Sequence, residues 1–273
     1  MRKCFVIAMD DKSQKSKLRV TVGGAQVDSE QETAVIDKIM RAAKEKEAFM
    51  VAFCNVHMAM TGLVNRDLHA ALATADLCLP DGAPIAWFIR KAASKQQCRL
   101  SGPDLMSSLC DAAMERDEGV FLFGGRPETL DALRDALLSQ FPRLRIVGAL
   151  SPPFRPLTEE EKMDVVRTIA GSGAGLVFVG LGCPKQEIWM AENTRNIKAV
   201  LLGVGAAFDF HAGMIKRAPK WMRNCGFEWL HRLLSEPKRL FGRYVVTNSQ
   251  FALWVARNWT RRRELVTRVT RSI

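Results

Sequence analysis

Four apolar runs at near-regular spacing constrain this chain more than any other feature. They read GVFLFGG from residue 119, LRIVGAL from 144, GLVFVGLG from 175 and KAVLLGVGAAFDF from 198. Short runs rich in Val, Ile, Leu and Phe read as buried strands. Helical stretches separate them. Pro127 falls in the first turn of a helix reaching about residue 140, where proline is favoured. Glu159, Glu160 and Glu161 follow Thr158 and suit the positive end of a second helix. PKQEIWMAEN, from Pro184, supplies a third. The order β-α-β-α-β-α-β predicts a Rossmann-like parallel sheet with right-handed crossovers. Ligands in such sheets bind beyond the carboxyl ends of the strands. Those ends carry Gly124-Gly125, Gly180-Leu181-Gly182 and Gly203-Val204-Gly205.

The first 116 residues read as a smaller α/β part of the same core. RVTVGGAQV, residues 19–27, predicts two strands around Gly23-Gly24. Ser29 and Glu32 have capping-box spacing, ahead of Val35, Ile36, Ile39 and Met40 on one helical face. FMVAFC reads as a buried strand ending at Asn55, RDLHAALATA as a short helix, and DLCLPDG as a strand running into a turn at Pro80-Asp81-Gly82. Residues 104–114 read as helix. The expected organisation is α/β: a core over 1–215, divided near 116 and 117, then an appendage over 216–273. No internal repeat or low-complexity linker interrupts it.

Charge separates the two regions. Of 40 Lys and Arg and 29 acids, the last 58 residues hold 14 and three, so residues 1–215 balance at 26 each. The whole excess of +11 sits in the tail. There, Phe227, Leu230, Leu233 and Leu234 fall at helical spacing among Arg232, Lys238, Arg239 and Arg243, with Trp229, Tyr244, Trp254 and Trp259 interleaved. That is the composition of basic amphipathic helices on an anionic surface, or of a helical cap with a solvated basic face. The apolar stretch at residues 4–9 is too short for a signal-peptide core, and no window reaches the ~18 apolar residues of a membrane span. The seven cysteines are scattered without a CxxC pair, which predicts reduced thiols in a cytosolic protein.

No Walker loop, zinc pattern, EF-hand or GxSxG elbow is present. The four histidines are far apart and read as packing or hydrogen-bonding residues. There is no Asp-x-Asp to hold a divalent ion under a diphosphate, so the expected site is metal-free and uses cations and backbone N–H groups. Asp81 is the candidate for acid–base work, because it ends a strand at the ligand edge; Pro-Asp-Gly is also an ordinary turn. Asn55 either binds a ligand or caps a helix. Arg99 and Asp104 flank LSGP, and Asp104 also suits a helix start. Gln186 and Glu187 begin the helix after the 180 turn and can reach back toward a ligand.

LPDG, RLSGPDL, GLGCPKQEIWM, GVGAAFDFHAG, RAPKWM and EWLHRLLSEPKR occur in this order over roughly residues 20–250. Together they resemble the WecG/TagA/CpsF family, glycosyltransferase family 26. The resemblance implies an inverting, metal-independent glycosyltransferase of bacterial surface-polysaccharide synthesis, with no cofactor. The donor would be a UDP-sugar and the acceptor a saccharide on a polyprenyl diphosphate. The expected location is the cytoplasm, peripheral on the inner face of the bacterial membrane, with the basic appendage on the anionic surface and over the active site. Nucleic acid is not an expected partner, and a homo-oligomer is left open.

Position by position, the resemblance makes Asp81 the catalytic base and puts Asn55 in the neighbouring pocket. Arg99 and Gln186 match polar residues near the donor and its diphosphate. Gly180 and Gly182 form the turn that lets the backbone approach the donor. Arg232 and Arg239 match appendage arginines that meet diphosphates. Two departures stand out. Phe53 occupies a position where some members carry threonine, and Gly242-Arg243 replaces an Arg-Arg pair.

Two other classes fit less of the sequence. A dinucleotide oxidoreductase needs a third glycine in its turn and an acid about 20 residues on; both GxG turns lack the glycine, and no such acid follows the 180 turn at a strand end. A non-catalytic membrane or nucleic-acid adaptor leaves the glycine turns and Asp81 without a role.

Overall fold

The computed structural model describes residues 17–269. The stretch weighed as a leader, residues 4–9, and the last four residues of the tail lie outside the described residues. Strands β1 (Lys17–Val22) and β2 (Ala25–Asp28) form the expected hairpin. Next come α1 (Glu32–Lys44), β3 (Phe49–Cys54), α2 (Val56–Val64), α3 (Arg66–Thr74), β4 (Leu77–Pro80), α4 (Ala83–Ala93) and α5 (Gly102–Glu115). The predicted alternation follows as β5 (Val120–Gly124), α6 (Pro127–Gln140), β6 (Ile146–Leu150), α7 (Glu159–Gly171), β7 (Leu176–Gly180), α8 (Lys185–Asn193) and β8 (Val200–Gly203). The remaining elements are α9 (Ala207–His211), α10 (Lys220–Asn224), α11 (Glu228–Ser235), α12 (Pro237–Asn258) and β9 (Val266–Val269).

Six strands form one parallel sheet in the order β4-β3-β8-β7-β5-β6. Strand β8 lies between β3 and β7, with Phe49 opposite Val200, so the sheet spans both parts of the core. Successive residues of a strand face opposite sides. Met50, Ala52 and Cys54 join Phe121, Phe123, Val177 and Val179 in one core, while Val51 and Phe53 join Leu122, Phe178 and Leu202 in the other. Helices cover both faces, which is why these strands read as continuous apolar runs. Each fully buried Val, Leu, Phe or Met among them contributes about 1.5–3 kcal/mol.

Two local expectations meet different outcomes. Thr158 and Glu161 form a reciprocal capping box at the start of α7. Ser29 does not cap α1: the helix starts at Glu32 with Gln31 at its cap, and the buried Ser29 hydroxyl donates instead to Gln97 Oε1 at 2.9 Å. A tertiary partner took the side chain that a local cap would have used.

The basic appendage folds back on the core. Helix α12 packs along α2. Trp254 meets Phe88 of α4 edge-on at 5.1 Å, and Trp259 stacks on Trp87 at 5.6 Å. The end of the tail corrects the helical reading. Strand β9 pairs antiparallel with β1, Val266 opposite Val20, to complete a three-stranded sheet in the order β2-β1-β9. Val266, Thr267 and Val269 are β-branched and favour a strand once an edge is offered. No described helix is long and apolar enough to cross a membrane.

Candidate active site

A cavity of about 640 Å³ opens at the carboxyl edge of the sheet, between the ends of β3, β4, β7 and β8 and the inner face of the appendage. Its volume suits a nucleotide-sized ligand. Its walls bring together Asn55, Asp81, Arg99, Gly180, Gly182 and Gln186 from the core. Arg232 and Arg243 close it from the appendage, beside Glu228, Trp229 and Tyr244. Phe53, 3% exposed, also lines it, so the departure from threonine falls on the cavity wall. Asp104 stands outside that lining. Arg239 belongs to α12, and its side chain lies outside the described residues.

Asp81 follows β4 directly, and its N–H donates to the Cys54 carbonyl at 2.9 Å, which ties the turn to the end of β3. The next residue, Gly82, has φ +90° and caps α4, a backbone shape that glycine adopts without strain. Burial pushes the Asp81 carboxyl up to about 6; Arg99 and Arg232 oppose the rise, and Glu228 and Asp104 add to it. A carboxylate poised just below neutrality is suited to accept a proton. Asn55 is a cap as well as a wall: its Oδ1 accepts from the Met58 N–H at 3.0 Å at the start of α2.

The 180 turn is fixed from below. Gly180 has no room for a side chain, since a Cβ there would come within 2.7 Å of Phe208. Pro184, joined to Cys183 by a cis peptide bond, caps α8. Gln186 does reach back, but to backbone. Its Oε1 accepts from the Gly182 N–H at 3.0 Å, and its Nε2 donates to the Gly203 carbonyl at 2.8 Å and to Glu187 Oε1 at 2.6 Å. Glu187 is fully buried, and burial pushes its carboxyl up to about 7 against the Gln186 bond.

An ion-pair network joins core and appendage at the cavity rim. Arg99 donates to Glu228 Oε2 at 2.5 Å and to Asp104 Oδ2 at 3.2 Å. Arg217 donates to both oxygens of Asp104, at 2.7 and 2.8 Å, and to Glu228 Oε1 at 3.2 Å. Arg223 is the third arginine on Asp104, at 3.2 Å. Burial alone would raise the Asp104 carboxyl, but the Arg217 and Ser101 hydrogen bonds and the neighbouring guanidinium charges bring it down to about 2. Arg232 lies over the Phe210 ring at 5.3 Å, held by a cation–π contact. Sequence reasoning missed Glu228 and Arg217. The available signal was an acid standing almost alone in a basic tail.

The structure defines a Rossmann-like α/β protein with a cleft at the carboxyl edge of its parallel sheet. Residues 20–265 match the glycosyl transferase WecG/TagA/CpsF family, and the chain belongs to that family. The protein is therefore a glycosyltransferase of cell-wall or polysaccharide biosynthesis, acting between a sugar donor and a glycan acceptor. Among the described residues, no three His, Cys, Asp or Glu side chains cluster in a way that would hold a metal ion.

Proposed function

We propose that the chain is an inverting glycosyltransferase that moves a hexosyl or N-acetylhexosaminyl group from a UDP-sugar to a saccharide on a polyprenyl diphosphate. The observation that carries this reading is Asp81. One carboxylate, raised to about 6, lines a cavity walled on other sides by glycine turns and by Arg99, Arg232 and Arg243. In an inverting transfer the acceptor hydroxyl attacks the anomeric carbon opposite the leaving UDP. Asp81 takes the hydroxyl proton as the new glycosidic bond forms. Charge that builds on the departing diphosphate is met by arginines, without a metal ion or a cofactor. Arg232 suits this role, because its Nε has no hydrogen-bond partner among the described residues.

The appendage supplies the acceptor side. Trp221, Phe227, Leu234, Phe241, Val245 and Leu253 are exposed apolar side chains, and Leu234 reaches 72%. Such a set, in the region that carries the entire positive excess, suits contact with an anionic lipid surface. The protein then works as a peripheral protein on the inner face of the bacterial membrane, where a lipid-linked acceptor lies. Incubation with a panel of UDP-sugars and a short lipid-diphosphate-sugar acceptor tests the reading. One donor is expected to release UDP and lengthen the acceptor by one sugar. No transfer from any UDP-sugar, with transfer from another nucleotide sugar, overturns the donor assignment.

A further inference from the structure

Glu187 is the one fully buried carboxylate beside the cavity that the mechanism above does not use. It has 0% exposure, sits in the first turn of α8, and does not line the cavity. Its side-chain partners are Gln186 and Cys183. Oε1 accepts from Gln186 Nε2 at 2.6 Å, while Oε2 has no hydrogen-bond partner among the described residues. Burying a carboxyl with half its acceptors unused costs stability, so stability does not account for it. A charge favourable to the helix start would need no burial.

Gln186 gives the reason. Its amide joins the two glycine turns under the cavity, holding the Gly182 N–H on one side and the Gly203 carbonyl on the other. An amide side chain can turn by half a rotation and exchange its oxygen and nitrogen. Turned over, Gln186 would present Nε2 to a donor and Oε1 to an acceptor, and both bonds would be lost. Two acceptors on one side, the Gly203 carbonyl and Glu187 Oε1, fix the nitrogen there. Both side chains lie close against the Gly203 turn: a Cβ there would meet Gln186 Nε2 at 3.1 Å and Glu187 Oε1 at 3.4 Å.

We propose that Glu187 is a positioning residue that locks the Gln186 amide in the one orientation able to hold the Gly182 and Gly203 turns in register for the donor. It touches neither substrate nor the reacting atoms. The claim that these turns serve a UDP-sugar rests on the function proposed above. The lock itself does not, and the two are measured separately.

Glu187→Met removes the acceptor with little change of volume. Glu187→Gln keeps a carbonyl oxygen for Gln186 and is the conservative control. Amide hydrogen exchange at Gly182 reads the lock in the free protein. Glu187→Met is expected to speed that exchange about tenfold, the loss of roughly one net hydrogen bond, and Glu187→Gln to restore protection. Titration with UDP reads the consequence. Glu187→Met is expected to weaken UDP binding about tenfold and to raise the donor KM more than it lowers kcat, with Glu187→Gln near the wild type. Unchanged exchange at Gly182 in a folded Glu187→Met protein overturns the lock. Faster exchange with unchanged UDP affinity overturns the link to the donor, as does a Glu187→Gln protein as impaired as Glu187→Met. A wild-type protein that binds no UDP overturns the donor reading and that link with it, whereas the exchange measurement still decides the lock.

Discussion

Arg99 Nη1 lies 2.5 Å from Glu228 Oε2, and this contact sets both the shape and the charge of the cavity. It ties the loop before α5 to the first residue of α11 and so holds the appendage against the core. It also flanks Asp81 with opposite charges: Arg99 draws the Asp81 carboxyl down, and Glu228 pushes it up. A base works only when deprotonated, so kcat/KM should fall as pH drops through about 6. Glu228→Gln removes a negative neighbour and should move that acid limb to lower pH. Arg99→Ala removes a positive one and should move it to higher pH, with a weaker donor KM as well. A pH–rate series on the three proteins checks the order. A common midpoint in all three would detach Asp81 from this pair.

The same shift predicts a stability change at Asp81. Its folded carboxyl holds a proton up to about 6, above its ordinary value of 3.8. The stabilisation from that proton is complete below 3.8 and is lost as pH rises through about 6. Asp81→Asn mimics the protonated form and does not suffer the loss. Its Tm should equal the wild type below pH 4 and exceed it at pH 8, with each kcal/mol worth roughly 2–4 °C in a chain of this size. Thermal melts across pH measure this. A gap that does not change with pH contradicts the assignment.

Asp104 acts in the opposite sense. Its carboxyl is held down at about 2 by Arg217 and its neighbours, so its contribution is present above 3.8 and is lost as pH falls toward 2. It collects three arginines, two of them from the appendage. Asp104→Ala should therefore loosen the appendage before it unfolds the core. Trypsin cleavage beyond residue 216 is expected to quicken several-fold while the melting of the core changes little. Equal protection in both proteins would assign the hold to the Glu228 ion pairs and the aromatic contacts.

The proposed lipid contact rests on side chains rather than on net charge. Leu234 and Phe241 are 72% and 61% exposed. Replacing both by Ser leaves every arginine in place. Binding to anionic vesicles should weaken by about tenfold or more per side chain, in line with ~1.5–3 kcal/mol for each buried apolar group. Vesicle sedimentation reads it. Undiminished binding would move the membrane contact elsewhere.

Much of this was legible in the residues, and the limit was distance along the chain. Strands β5, β7 and β8 announce themselves because both faces of the sheet are covered, which makes Val177, Phe178 and Val179 a continuous apolar run. Asp81 was legible because it ends such a run at a turn. The place of β8 between β3 and β7 was not, since the pairing of Phe49 with Val200 has no local signal. Glu228 was hidden for the same reason: it meets Arg99 across 129 positions. β9 was misread because its few residues prefer a strand only when the edge of β1 is offered. Gln186 was expected to reach back toward a ligand; its side chain does turn back, and its partners are the backbone groups of two turns.

Asp81 is proposed to take the acceptor proton in transfer from a UDP-sugar. Steady-state transfer by Asp81→Asn, measured beside its UDP affinity, tests this most directly. In Asp81→Asn, kcat is expected to fall by ~10²–10⁴-fold while UDP binds as in the wild type. Near-normal turnover in that variant would contradict it.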